Sequence, residues 1–292
     1  MSQSHQYSFS IAGVSVRLET EQCFAEDENF LPFFSEEGKP DYLVRFRRVS
    51  QLPSIPDTVL YADLNFRIHP DGRGGYLRSF LDSGKDPAPY AVTTYDFPRG
   101  ILTVDYLQDG IRHFSGINNS FFHLGFEAML IRKDRLCLHA ACVDTSLGGI
   151  LFSGPSGIGK STQAGLWCRY RGAEQINGDR PILSKGQSGW LAWGSPYAGS
   201  SRCHVNKSCP VTAIVMLRQA PQCSLRRLNS AEAFRAVWSG LTMNSWDAEF
   251  VAAACDLTMA LLDAVPVFEF SCTPDEQAVN CLDQGLRKEL SL

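Results

Sequence analysis

Gly154-Pro155-Ser156-Gly157-Ile158-Gly159-Lys160-Ser161-Thr162 fits the pattern G-x-x-x-x-G-K-[ST]. In that spacing glycines let successive backbone N–H groups turn inward around phosphate oxygens. The apolar run Gly149-Ile150-Leu151-Phe152 ahead of it reads as a buried strand, and Ser161 to Tyr170 reads as a helix whose N-terminus points at the loop. Strand, loop and helix in that order are the context the motif needs, since a helix N-terminus adds its own N–H groups and dipole to an anion site. A glycine-rich turn with no ligand is the other reading; the flanking elements favour a phosphate site formed by Gly154, Ser156, Gly157, Ile158, Gly159, Lys160, Ser161 and Thr162.

At 292 residues the chain is long enough for one or two domains with a sizeable core. Hydrophobic residues at 44% and charged residues at 20% are ordinary for a globular protein, and a net charge of −4 argues against a nucleic-acid binder. Met1-Ser2-Gln3-Ser4-His5 lacks the layout of a signal peptide, and no run approaches the roughly 18 apolar residues of a membrane helix. A cytoplasmic protein that engages no membrane is expected. Ten cysteines, several within apolar runs and none in a C-x-x-C pair, read as reduced thiols rather than a disulfide framework. Cys203, His204 and Cys209 are the nearest thing to a metal cluster and lack a fourth ligand.

Residues 1–115 read as a β-rich region of α+β character, with strands at Tyr7–Ile11, Val14–Leu18, Tyr42–Phe46, Ala91–Tyr95 and Ile101–Tyr106 and a hairpin turn at Asp71–Gly75. Between 116 and 135 the period changes: Phe122, Phe126, Met129 and Leu130 share one face of a connecting helix over Asn119–Lys133. From 136 to 292 an α/β domain follows. Leu136–Asp144 is expected as one strand, and the five-residue turn after it cannot hold a crossover helix, so it forms an antiparallel hairpin with the strand before the loop. A mixed sheet results, whereas ordinary phosphate-loop proteins use parallel strands with helical crossovers. Gln175–Leu183 reads as a strand and its exit, further strands fall at Trp190–Trp193, Val211–Leu217 and Val265–Phe270, and helices fall at Ser230–Ser239 (Ser230 as cap), Trp246–Ala264 and Pro274–Leu290.

Three stretches in order carry a resemblance to the HPr kinase-like family, related in fold to phosphoenolpyruvate carboxykinases. They are His139-Ala140-Ala141-Cys142-Val143-Asp144, the phosphate loop, and Asn177-Gly178-Asp179-Arg180, where the family has an Asp-Asp-Arg type sequence. The N-terminal half looks like that of HPr-kinase-related proteins found beside peptide-modification genes. The resemblance covers residues 136–217 well and the helices to 290 loosely. It implies a β-rich region followed by an HPr kinase/carboxykinase-like phosphate-loop domain. It also implies a kinase that uses ATP or another nucleoside triphosphate with Mg²⁺, and acts on a hydroxyl of a peptide, a protein or a small molecule, with oligomers within its range.

Within that reading Lys160 holds the β- and γ-phosphates and Ser161 turns its hydroxyl to Mg²⁺. Asp179 is the candidate base for the acceptor hydroxyl and a second metal ligand. The family pairs a histidine with this carboxylate, which gives His139 that role; a satisfied core histidine is the other reading. Arg180 either contacts phosphate or pairs with Asp179, and Arg202 and His204 read equally as anion contacts or surface residues. Gly178 stands where the family has its first aspartate, and the loop Gly194–Arg202 lacks the family's acidic residue. Those two departures motivate the alternative of a nucleotide-binding pseudokinase. A serine hydrolase is excluded, because a nucleophile elbow around Ser156 needs glycine at Ile158.

Overall fold

Ala12 and Gly13 both take positive φ, 51° and 75°. That conformation matches the twist of a two-residue hairpin and turns β1 (His5–Ile11) straight back into β2 (Val14–Thr20). The computed structural model describes residues 4–36, 38–83 and 87–291. Met1–Gln3, the first residues of the stretch read as lacking a leader, lie outside them. The chain divides into two compact units, one running to Met129 and including Ser245–Ala248, the other comprising Leu130–Asn244 and the residues from Glu249 onward.

The first unit is built on a mixed sheet completed by β3 (Tyr42–Arg48), β4 (Tyr61–Ala62), β5 (Phe66–Pro70), β6 (Tyr76–Leu81), β7 (Pro89–Asp96) and β8 (Ile101–Tyr106). Its order is β1-β2-β3-β8-β7-β6-β5-β4. β3 runs parallel to β2 and β8, and the other pairs are antiparallel. The expected turn joins β5 to β6, where the Asp71 carboxylate accepts hydrogen bonds from the Arg73 and Gly75 N–H groups. β6 is missed by the sequence reading because it is buried along its whole length and shows no alternation.

The expected single helix over Asn119–Lys133 is two short ones, α1 (Ile117–Phe122) and α2 (Phe126–Ile131). They part at Gly125, whose φ is 63° and whose absent side chain leaves room for the Arg78 guanidinium, 2.8 Å from where a Cβ would stand.

The second unit carries the glycine-rich loop of residues 154–162. Its elements are β9 (Arg135–Cys137), β10 (Ala140–Thr145), β11 (Gly148–Ser153), α3 (Lys160–Arg171), β12 (Glu174–Asn177), β13 (Ile182–Lys185), β14 (Trp190–Trp193), β15 (Ser208–Gln219), β16 (Ser224–Arg227), α4 (Ser230–Gly240), α5 (Ala248–Ala264), β17 (Val267–Cys272) and α6 (Glu276–Leu290). The sheet order is β12-β10-β11-β15-β14-β13-β9, with β17 beside β15 and β16 beside β17. β10 and β11 form the antiparallel hairpin, while β11, β15 and β17 are parallel, so the sheet is mixed as expected.

Alternate residues of these strands serve opposite faces. Ala141, Val143, Ile150, Phe152, Val215 and Phe268 pack with Trp167 of α3 and Leu282 of α6. Ala140, Cys142, Leu151 and Ile214 pack with Val237 of α4 and Phe250, Ala254 and Leu261 of α5. Helices on both faces explain why the strands read as unbroken apolar runs.

Three local expectations change. Leu136–Asp144 is two strands, because β9 pairs with β13 while β10 pairs with β11 and β12; the break falls at Leu138 and His139. α4 is capped by Asn229, whose side chain accepts from Glu232 N–H in a reciprocal capping box, rather than by Ser230. α5 starts at Ala248, and Trp246 instead stacks in the first unit on Tyr61, with centroids 4.6 Å apart. Among the described residues no helix is long and apolar enough to cross a membrane, and no disulfide joins any of the cysteines.

Candidate functional site

β11 ends at Ser153, and Gly154, Gly157 and Gly159 follow with φ of 139°, 78° and 112°. Backbone in this region strains any residue with a Cβ, so these glycines permit the tight curl of the loop, within which the Ile158 N–H donates to Pro155 O at 3.3 Å. Gly159 is also the left-handed N-cap of α3. Ser156, Gly157, Ser161 and Thr162 are exposed, whereas Lys160 is buried. The Lys160 ammonium donates to the carbonyls of Gly154 and Pro155, each at 3.1 Å, so the side chain folds back across its own loop. Burial lowers its pKa, and the Asp179 carboxylate opposes that shift.

Asp179 stands in the turn between β12 and β13, and its position is set by Asn177. The fully buried Asn177 Oδ1 accepts from the N–H groups of Asp179 (2.9 Å) and Arg180 (2.7 Å). Its Nδ2 donates to Ser195 O at 3.1 Å, and Ser195 Oγ donates to Arg180 O at 2.6 Å. This network ties the turn to the following loop, and the Asp179 side chain stays 30% exposed.

His139 lies at the break between β9 and β10, with Nε2 3.2 Å from Asp179 Oδ1. Its backbone is fixed on both sides: its N–H donates to Gly240 O (2.8 Å), its carbonyl accepts from Ser153 Oγ (2.9 Å), and the next N–H, of Ala140, donates to Asp179 O (2.9 Å). The contact with Ser153 puts His139 beside the root of the glycine-rich loop. Burial, then the Lys160 charge, lowers the His139 pKa against the pull of Asp179, which favours the neutral imidazole. Arg180 Nε approaches Asp179 Oδ2 at 3.7 Å, and its Nη1 donates to Thr242 Oγ1 at 2.5 Å.

His139, Asp179 and Arg180 therefore meet directly, and Lys160 lies within their electrostatic reach. His139 is half-exposed and carboxylate-paired rather than a satisfied core residue, and Arg180 does pair with Asp179. Asn177, Ser195 and Thr242 were not read as site residues. Only the Asn-Gly-Asp order, which suits a turn closed by an asparagine side chain, pointed to one of them.

A nucleoside triphosphate with Mg²⁺ suits this donor set. Mg²⁺ is typically held by one or two protein oxygens together with substrate phosphates. The exposed Ser161 hydroxyl and the outward Asp179 carboxylate supply such oxygens, and no group of three or more His, Cys, Asp or Glu among the described residues forms a prebuilt metal cage.

No protein-family model matches the sequence, and no curated protein matches it. Among solved structures, an HPr(Ser) kinase/phosphatase from Coxiella burnetii aligns over 53% of this chain and 99% of its own, with 15% identity and a TM-score of 0.33.

Proposed function

We propose that the chain is a phosphotransferase that moves the γ-phosphoryl group of a nucleoside triphosphate to a hydroxyl. The observation that carries the reading is Asp179: a carboxylate held outward by Asn177 and by His139, beside the root of a glycine-rich loop that ends in a buried lysine. The loop N–H groups and the α3 N-terminus receive the phosphates, and Lys160 exchanges its loop carbonyls for β- and γ-oxygens. Ser161 and Asp179 would hold Mg²⁺, which would supply positive charge to offset the negative charge of the phosphates. Asp179 accepts the proton of the acceptor hydroxyl as its oxygen bonds to the γ-phosphorus and the bond to the β–γ bridging oxygen breaks, releasing the nucleoside diphosphate. Neutral His139 orients the carboxylate, and Arg180 flanks it.

The second reading, nucleotide binding without transfer, draws on Gly178: this site offers one carboxylate at the turn where the resembling family has two. Purified protein with Mg²⁺, γ-labelled ATP and a serine/threonine peptide library separates the two. Label transfer that disappears in Asp179→Asn supports the kinase. Binding of Mg-ATP that Lys160→Ala abolishes, with no label transferred by wild type, supports the second reading. No nucleotide binding by wild type overturns both.

A further inference from the structure

Beside the phosphate loop lies a cleft of about 580 Å³ that the transfer chemistry does not use. Its walls include Ile158, Leu217, Ala220, Pro221 and Pro274, so its lining is mostly apolar. It opens at the C-terminal ends of the parallel strands β11, β15 and β17, the edge at which α/β sheets bind ligands. It shares Gly157, Ile158, Gly159 and Thr162 with the loop and the first turn of α3, within reach of any group attached to bound phosphates. Arg218, the cation of the lining, is paired with Glu269 at 2.8 Å, which leaves the cleft suited to an uncharged moiety.

One polar group of this lining is incomplete. Gln163 is 3% exposed. Its Nε2 donates to Thr273 O and Cys272 Sγ, both at 3.2 Å, and this fixes the carboxamide's orientation. Its Oε1 is buried with no hydrogen-bond partner among the described residues. A buried acceptor without a donor is unfavourable, and with the amide nitrogen already engaged this oxygen can only accept. A flat ring system with apolar faces and an amino group at its edge satisfies both the walls and the oxygen.

We propose that this cleft holds the base of the nucleotide, and that Gln163 selects a base bearing an exocyclic amino group. The inference rests on the phosphate-site reading above. The experiment measures affinities of ATP, ITP and inorganic tripolyphosphate, with Mg²⁺, for wild type, Gln163→Leu and Ala220→Trp. ITP presents a carbonyl where ATP presents the amino group. Wild type is expected to prefer ATP over ITP by about tenfold, the worth of one buried hydrogen bond. Gln163→Leu should erase the preference, and Ala220→Trp should weaken both nucleotides while leaving tripolyphosphate unchanged. Should Gln163→Leu fail to fold, the wild-type preference and the Ala220→Trp result decide. Tripolyphosphate binding with equal ATP and ITP affinities, or with nucleotide affinities untouched by Ala220→Trp, overturns the base site alone. Failure of all three ligands to bind overturns the phosphate site and this proposal with it.

Discussion

A Cβ on Gly178 would stand 1.8 Å from Ser201 Oγ and 2.8 Å from Ala198 O. Ser201 has no freedom to retreat: its hydroxyl donates to Ala198 O at 2.7 Å and accepts from Cys203 N–H at 3.1 Å. The loop thus fills the space in which a second aspartate would need to lie. Opposite it, Gly199 leaves Asp179 its room, since a Cβ there would come within 2.9 Å of Asp179 Cβ. A carboxylate added at position 178 by mutation therefore meets backbone and side chain together.

Gly178→Asp is expected to lower stability by at least about 1–3 kcal/mol, the range for overpacking a well-packed site, and to leave transfer no faster than wild type. Urea unfolding and label transfer measured together check it. A variant as stable as wild type and faster in transfer would show that the loop yields and that the site accommodates a second carboxylate. Pairing Gly178→Ala with Ser201→Gly should recover part of the loss, because the two positions collide directly.

Asn177→Ala removes the acceptor for two N–H groups and the donor to Ser195 O. Leaving such groups unpaired in the interior costs about 1–3 kcal/mol. The turn would loosen and Asp179 would lose its set position. Transfer should fall by about tenfold or more, because small displacements of a reacting group are expensive, while nucleotide affinity stays within about twofold because the loop is untouched. A parallel fall in affinity would place Asn177 among the binding groups instead.

His139→Ala takes the Nε2–H donor from Asp179, 3.2 Å away, and leaves the phosphate loop intact. Nucleotide binding is expected to persist while transfer drops by about one to two orders of magnitude, as befits an orienting partner of a general base. His139→Gln, which keeps a donor on a similar stem, should recover part of the rate. Equal losses in the two variants would point to packing rather than orientation.

Much of the second unit was legible because its signals are local. The loop motif and the hairpin turn too short for a crossover are each read from a few adjacent residues. What escaped depends on contacts distant along the chain. Leu136–Asp144 looks like one strand until β13 and β11 claim different parts of it, and that break is what frees His139 to face Asp179. Gly178 is a plain glycine in the sequence, and only the fold shows Ser201 packed against it. Trp246 continues a helical pattern, but the aromatic cluster of the first unit holds it elsewhere.

His123 makes the first unit acid-sensitive. The ring is 2% exposed; its Nδ1–H donates to Asn119 O at 2.7 Å and its Nε2 accepts from Tyr90 Oη–H at 2.8 Å, an arrangement that requires the neutral imidazole. Burial drives its pKa down to about 3; the Asn119 carbonyl opposes this, and the charges of His113 and Arg78 add to the lowering. Tyr90 stays protonated throughout, its own pKa pushed up to about 12 chiefly by burial. Because the folded pKa lies below the unfolded value of about 6.5, the stabilisation is full above pH 6.5. It is lost as pH falls toward 3, at up to about 1.4 kcal/mol per pH unit for one proton. His123→Gln should be less stable than wild type at pH 7, from lost packing and hydrogen bonds, with the gap narrowing as pH falls to 4. Unfolding free energies of both proteins across that range provide the check. A gap that stays constant with pH would show that His123 does not carry the proton linkage.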